Sequence, residues 1–254
     1  MRLALPDPPP QYKSPQQKVR AATEDWGESN LYCANCDSDE LDKLKANTPT
    51  IDFSCPKCGA VFQLKGRKQP IGGILADAAY GKMREAILEG RTPNLLALHY
   101  DSDSWKVQNL ILIPHFAFSL AAVKKRPPLS PDAERHGWVG CNIILSNIPV
   151  DARIRIITTE IAESPTEVRR QYRRLKPLAE LKVEERGWTL DVLNAVRSLG
   201  KREFTLKEIY GFESQLGRLH PANRNVCPKI RQQLQILRDL GLLEFLGAGS
   251  YRLT

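Results

Sequence analysis

The chain has 254 residues, 42% of them hydrophobic and 26% charged, enough apolar side chain to bury a core and too much for a disordered segment. No stretch reaches the eighteen or so apolar residues of a membrane span, and the proline-rich start lacks the apolar region of a secretory signal, so a cytoplasmic protein with no membrane partner is expected. Lysine and arginine outnumber aspartate and glutamate by 37 to 29, a formal net charge of +8, which favours a polyanionic partner and puts nucleic acid first.

Residues 1–13 are loose and rich in proline, after which Ser14 reads as the N-cap of a helix running to about Trp26. Past the cysteine-containing stretch Cys33 to Cys58, Ala60–Lys65 alternates as a strand, with Val61, Gln63 and Lys65 on one face and Phe62 and Leu64 on the other. Ile74–Glu89 reads as an amphipathic helix stopped by Gly90, followed by strands at Asn94–Tyr100 and Val107–Ile113. Lys124–Trp138 holds three prolines and the run Lys124-Lys125-Arg126, and reads as a long loop of the kind that carries recognition. Strands at Val139–Leu145 and Arg153–Thr158 come next. A basic helix, Thr166–Lys176, ends at Pro177 and offers arginines to grip phosphate.

The remainder changes character. Helical spacing runs from Thr189 to Leu199, again over Phe204–Leu219 and again over Pro228–Leu240, and residues 242–253 form a strand, a glycine turn and a strand. Three helices and a terminal hairpin predict a winged helix. The expected division is residues 1–181 and 182–254, and the chain as a whole is of mixed α/β (α+β) class.

Cys33-Ala34-Asn35-Cys36 and Cys55-Pro56-Lys57-Cys58 are two knuckles separated by eighteen residues, the spacing of a four-cysteine zinc ribbon. Four thiolates complete a tetrahedron and leave no open position, so Zn2+ held by Cys33, Cys36, Cys55 and Cys58 would be structural. Cys141 and Cys227 lack a partner pattern and read as small hydrophobes. Asp52 lies three residues before Cys55, while Gln63 and Lys65 share a strand face just after Cys58. Phosphodiester hydrolysis calls for a divalent cation on a carboxylate and other oxygens, with an ammonium near the phosphate, and Asp52, Gln63 and Lys65 supply such a set. A strand with an exposed polar edge would show the same pattern.

Ile51-Asp52-Phe53 beside the two knuckles, then Phe62-Gln63-Leu64-Lys65, resembles the DpnI restriction endonuclease family. Thr23-Glu24-Asp25-Trp26, Arg135-His136-Gly137-Trp138-Val139-Gly140-Cys141-Asn142-Ile143, Arg186-Gly187-Trp188-Thr189 and residues 230–239 extend the resemblance in order over nearly the whole chain. It implies a PD-(D/E)XK restriction-endonuclease-like catalytic domain with an embedded zinc site, followed by a winged-helix domain. The implied activity is that of a type II enzyme cutting double-stranded DNA at GATC when its adenine is N6-methylated. The family's metal-binding aspartate falls on Asp52, its catalytic lysine on Lys65 and its acidic residue on Gln63, a departure from the pattern. The resemblance implies Mg2+ on Asp52, Gln63 and the Leu64 carbonyl, with Lys65 placing the attacking water. The competing readings are a methylated-DNA reader that no longer cuts and a zinc-ribbon transcription factor indifferent to methylation.

For base readout the third helix of the second domain is expected in the major groove, with Arg224, Asn225, Lys229, Arg231, Gln232 and Gln233 at its start. Arg231, Gln232 and Gln233 cannot all face DNA, since neighbours on a helix point about a hundred degrees apart. Trp138 is the candidate apolar wall for the methyl group, and Trp188 reads as core. A monomer in solution is expected.

Overall fold

The computed structural model describes residues 1–45 and 50–254. Ser14 caps the first helix, α1 (Pro15–Asn30), its hydroxyl accepting from the Gln17 N–H at 3.2 Å, and Pro15 occupies the first turn where no N–H is needed. The helix runs a turn past Trp26, whose buried indole donates to the Arg2 carbonyl at 2.7 Å. Then come β1 (Asp42–Lys43), β2 (Phe53–Ser54), β3 (Val61–Arg67), β4 (Ile74–Ala79), α2 (Tyr80–Leu88), β5 (Asn94–Asp101) and β6 (Lys106–Ile113). They are followed by β7 (Val123–Lys125), β8 (Gly140–Ile144), β9 (Ile154–Thr158), β10 (Ile161–Ala162) and α3 (Pro165–Leu175).

Seven strands form one mixed sheet in the order β1-β2-β3-β5-β6-β9-β10, parallel only between β3 and β5. Its back is covered by helices. Gly66 on β3 lets α1 lie close, since a Cβ there would stand 2.9 Å from Thr23 Cγ2, and Tyr172 of α3 donates to Asn94 of β5 at 3.0 Å. Phe62, Leu96, Leu98, Leu110 and Leu112 fill this side. On the front, Gln63, Lys65, Arg67, His99, Asn109 and Ile111 stay half-buried, so this face of the sheet is only partly covered.

A second sheet, β4-β8-β7, stands against that front. It corrects the expectation of one helix over Ile74–Glu89: the first six residues are β4, paired antiparallel with β8, and only Tyr80 onward is helical. The apolar spacing of a short segment suits either conformation, and the open edge of β8 decided it. The expected loop Lys124–Trp138 likewise begins as strand β7, then closes on itself through Leu129 N–H to the Trp138 carbonyl at 2.9 Å.

The C-terminal part contains α4 (Val183–Ser198), β11 (Glu203–Thr205), α5 (Leu206–Tyr210), α6 (Glu213–Leu219), α7 (Val226–Asp239), β12 (Leu243–Gly247) and β13 (Ser250–Leu253). The single helix expected over Phe204–Leu219 is instead a strand and two short helices. Thr205 and Glu208 form a reciprocal capping box that starts α5 at Leu206, which frees Glu203–Thr205 to pair with β13 in the sheet β11-β13-β12. Thr205→Ala should therefore cost about 1 kcal/mol, read as a lower urea midpoint with an unchanged slope. The hairpin β12–β13 is the wing, and its turn places Gly247 at φ +93° and Gly249 at φ +75°, conformations that favour glycine.

The two parts meet through polar contacts, one of them buried. Ser119 donates to Asp191 of α4 at 3.2 Å, and His220 Nε2 lies 2.8 Å from the other oxygen of that carboxylate while its ring stacks on buried Trp188 at 3.8 Å. Burial pushes the Asp191 carboxyl above the ordinary range, against the opposing pull of His220 and Ser119. Arg197 Nε donates to Asp151 at 2.7 Å and Asn194 to the Ser146 carbonyl at 2.9 Å.

Candidate active site and metal centre

The four knuckle cysteines converge as their spacing predicts. All four sulfurs lie within 4.8 Å of one another, with Cys33 and Cys58 at 3.6 Å and Cys36 and Cys55 at 3.5 Å. The edge of a tetrahedron with Zn–S bonds of about 2.3 Å is roughly 3.8 Å, so this cluster could hold zinc. Burial pushes the Cys33 thiol up, whereas at Cys55 burial is outweighed by the N–H groups of Cys58 and Lys57 and by neighbouring thiols, which bring it down to about 7. Four thiol sulfurs at such distances are the donor set a dication completes. Cys141 is buried as expected, and Cys227 is half-buried.

The centre fixes its surroundings. Cys55 N–H donates to the Ala60 carbonyl at 2.8 Å and Asp52 N–H to the Phe62 carbonyl at 2.9 Å, so the knuckle sets the register that carries Asp52 alongside β3. Arg169 of α3 anchors the other knuckle, donating to the Cys33 carbonyl at 3.0 Å and the Ser38 carbonyl at 2.7 Å. Of the arginines expected to grip phosphate, Arg169 is spent on the ribbon, while Arg170 pairs with Glu167 at 2.7 Å and Arg174 with Thr254 at 2.8 Å on the surface, and Arg173 and Lys176 are exposed.

Asp52 is half-buried, and one of its oxygens accepts the Leu64 N–H at 2.7 Å. Burial, reinforced by the charge of Glu24, holds its carboxyl above the ordinary range, while the Leu64 N–H, Arg20 and Lys65 pull the other way. A divalent cation would relieve both the desolvation and the repulsion. Gln63 and Lys65 lie on the open face of β3, and Arg20, Lys65 and Lys68 line one cleft of about 560 Å³. The structure thus brings Asp52 and Lys65 within electrostatic reach of each other, with Gln63 two residues from Lys65 on the same face.

Three further side chains belong to this cluster. Lys65 Nζ lies 2.5 Å from Asp77 Oδ1, an oxygen that is buried and makes no hydrogen bond, so the contact is an ion pair off the hydrogen-bond direction. Asp77 escaped the sequence reading because β4 was read as helix. Glu24 and Arg20 come from α1, 2.5 Å apart, with Glu24 only 8% exposed. A buried glutamate in a segment of charged residues carries no periodic signal, and only the packing of α1 on β3 brings it near Asp52.

Two family models match the chain. The model of the DpnI family, described as the Dam-replacing family, matches residues 8–181, and that of the Dam-replacing HTH domain, DpnI_C, matches residues 184–253. The chain belongs to the DpnI family. Membership implies a restriction-type function that cleaves DNA in a methyl-dependent way, and the DpnI HTH domain implies DNA binding through the winged helix. No helix among the described residues is long and apolar enough to cross a membrane.

On that winged helix, Arg224, Asn225, Arg231 and Gln232 are exposed at the start of α7 and just before it, and Lys229 donates to Gln232 at 2.9 Å. Gln233 does not belong with them. It is fully buried, its amide oxygen accepting from Thr189 of α4 at 2.6 Å, so it joins helices and cannot reach a base. Exposed Gln235, one turn on from Arg231 and Gln232, takes its place on the outward face, a position helical spacing alone would have found. Trp138 is half-buried, lying against Gly140 with the Arg135 guanidinium 5.0 Å from its ring centroid.

Proposed function

We propose that the protein is a methyl-directed type II restriction endonuclease in which residues 1–181 form a PD-(D/E)XK nuclease domain and residues 182–254 read the site. The substrate is double-stranded DNA carrying N6-methyladenine in GATC. The observation that carries the reading is the convergence of Asp52, Lys65 and the strand face of Gln63 beside a four-cysteine centre, in a chain of the DpnI family.

Asp52, Gln63 and the Leu64 carbonyl would hold Mg2+, and Zn2+ would occupy the cysteines. Bound there, a divalent cation supplies Lewis acidity to the phosphoryl oxygen and to the attacking water. Asp52 presents the oxygen that the Leu64 N–H leaves free, and that N–H keeps the carboxylate from turning away. Lys65 directs its ammonium at the phosphate, where negative charge grows toward the transition state. Asp77 holds that ammonium on the open face of the sheet. On the other domain, Arg224, Asn225, Lys229, Arg231 and Gln232 would meet the DNA, with Trp138 as the wall beside the methyl group.

The test is incubation with Mg2+ and one plasmid prepared with and without adenine methylation, with Asp52→Ala as control. Cleavage of the methylated form alone, absent from the control, is expected. Methyl-dependent binding without cleavage would make the protein a reader. Because a neutral amide binds Mg2+ more weakly than a carboxylate, Gln63→Glu should lower the Mg2+ concentration for half-maximal cleavage by about 10-fold. An unchanged requirement would remove Gln63 from the metal site.

A further inference from the structure

The open sheet face carries a second group of cations, away from Asp52. Strand register locates it: Lys65 pairs with Ala97, Ala97 with Ile111, and Ile111 with Arg155. Paired residues share a face, so Lys65 and Arg155 project from the same side three strands apart, roughly 14 Å at ~4.8 Å per strand. The neighbouring row adds Arg67, His99 and Asn109, the last two 3.0 Å apart.

The Arg155 end of this row opens into a groove of about 580 Å³ bounded by Gly72, Gly73, Ser146 and Ile111, with Arg153 beside Arg155. No carboxylate lines it, and the nearby Asp151 is taken by Arg197. Among the described residues six buried side-chain polar atoms lack a hydrogen-bond partner, and two of them, the donors Arg67 Nε and Arg153 Nε, border this face. Burial, with the like charge of Arg155, holds the Arg153 guanidinium below its ordinary value against the opposing pull of Asp151. A partly buried cation with an unused donor, next to a second cation and in a groove whose lining holds no acid, is costly, and an anion with several acceptor oxygens removes that cost.

The geometry points to the Arg153–Arg155 groove as a phosphodiester-binding site, which holds the DNA backbone a few nucleotides from the bond at Lys65. The distance from the cut rests on the nuclease reading of Asp52 and Lys65: at roughly 3.4 Å of axis per nucleotide, ~14 Å corresponds to about four nucleotides of one strand. The groove contacts backbone and no base edge, so it should contribute equally for every sequence and methylation state.

The test compares the intact protein with Arg155→Gln and with the double variant Arg153→Gln/Arg155→Gln. Binding of methylated and unmethylated duplexes is followed by fluorescence anisotropy across a salt series without divalent cation. Each lost phosphate contact should reduce the slope of log affinity against log salt by about 0.9, so the single variant loses about one unit and the double about two, on both duplexes alike. Arg155 is exposed, so its single variant should keep the parent's cooperative unfolding and report on binding even where the double variant is unstable. An unchanged slope in Arg155→Gln, from a parent that binds and cleaves, would overturn the site. A reduced slope in a parent that binds without cleaving would keep the site and discard the nuclease reading. Inorganic phosphate and adenosine monophosphate are titrated as a second arm, and saturable binding lost in the variants without any change in DNA slope would overturn the backbone assignment in favour of a small anion.

Discussion

Lys65→Ala should lower the single-turnover cleavage rate by about 10²- to 10³-fold while duplex affinity changes by no more than about two-fold. The split follows from where charge develops. In the ground state the phosphodiester carries one negative charge shared by many surface cations, whereas in the transition state added charge accumulates at one phosphorus, next to one ammonium, in a cleft with reduced access to water. Asp77→Asn is the informative companion. Asp77 touches Lys65 and lies on the separate sheet β4-β8-β7, so its loss leaves the ammonium present but free to swing, and a misplacement of about 1 Å costs on the order of 10²-fold. The double variant should then be no worse than Lys65→Ala alone, because Asp77 acts through Lys65. Additive losses would assign Asp77 a separate role, and a fall in affinity matching the fall in rate would make Lys65 a ground-state grip.

Removing metal from the cysteine cluster should abolish both cleavage and the native thermal transition of residues 1–181. Structural zinc contributes about 10–16 kcal/mol in small four-ligand sites, comparable with the whole stability of an ordinary domain. The dependence here is local as well as global: β1 and β2 are two residues each, too short to persist without the knuckles, and they carry the backbone that ties the Asp52 N–H to the Phe62 carbonyl. Cys55→Ser should behave as the chelated protein does, with thermal unfolding and metal content measured together. The affinity should also fall as pH drops, because the ligands are thiolates and protons compete for them. A metal-free protein that retains its transition and its cutting would show that the ribbon stands on packing alone, through Arg169 and buried Phe53.

Much of this protein was legible in one dimension. The knuckle spacing, the alternation of β3 and the Ser14 cap are local patterns whose physics is complete within a few residues, and each appears where the sequence places it. The strands β5, β6 and β9 and the helices α3 and α7 were legible for the same reason. The segments that misled, Ile74–Glu89 and Phe204–Leu219, are those in which a short apolar run suits both helix and strand until a partner edge is supplied.

Position relative to other elements was beyond the sequence. Gln233 reads as a DNA contact by composition and becomes a helix–helix tie because α4 presents Thr189 to it. Arg169 reads as a phosphate grip and becomes the anchor of the ribbon because α3 runs past Cys33. Asp77, Glu24 and the Arg153–Arg155 groove appear in no motif. A carboxylate beside Lys65, or two guanidiniums in a groove lined by no acid, exists only once strands distant in the chain are set in register, and register is a property of the sheet as a whole. The candidate set for phosphodiester chemistry, Asp52, Gln63 and Lys65, and the four cysteines that could hold a metal were therefore legible in the sequence alone. Which of the many cations face the substrate, and which are consumed in holding the fold, was decided only by tertiary packing.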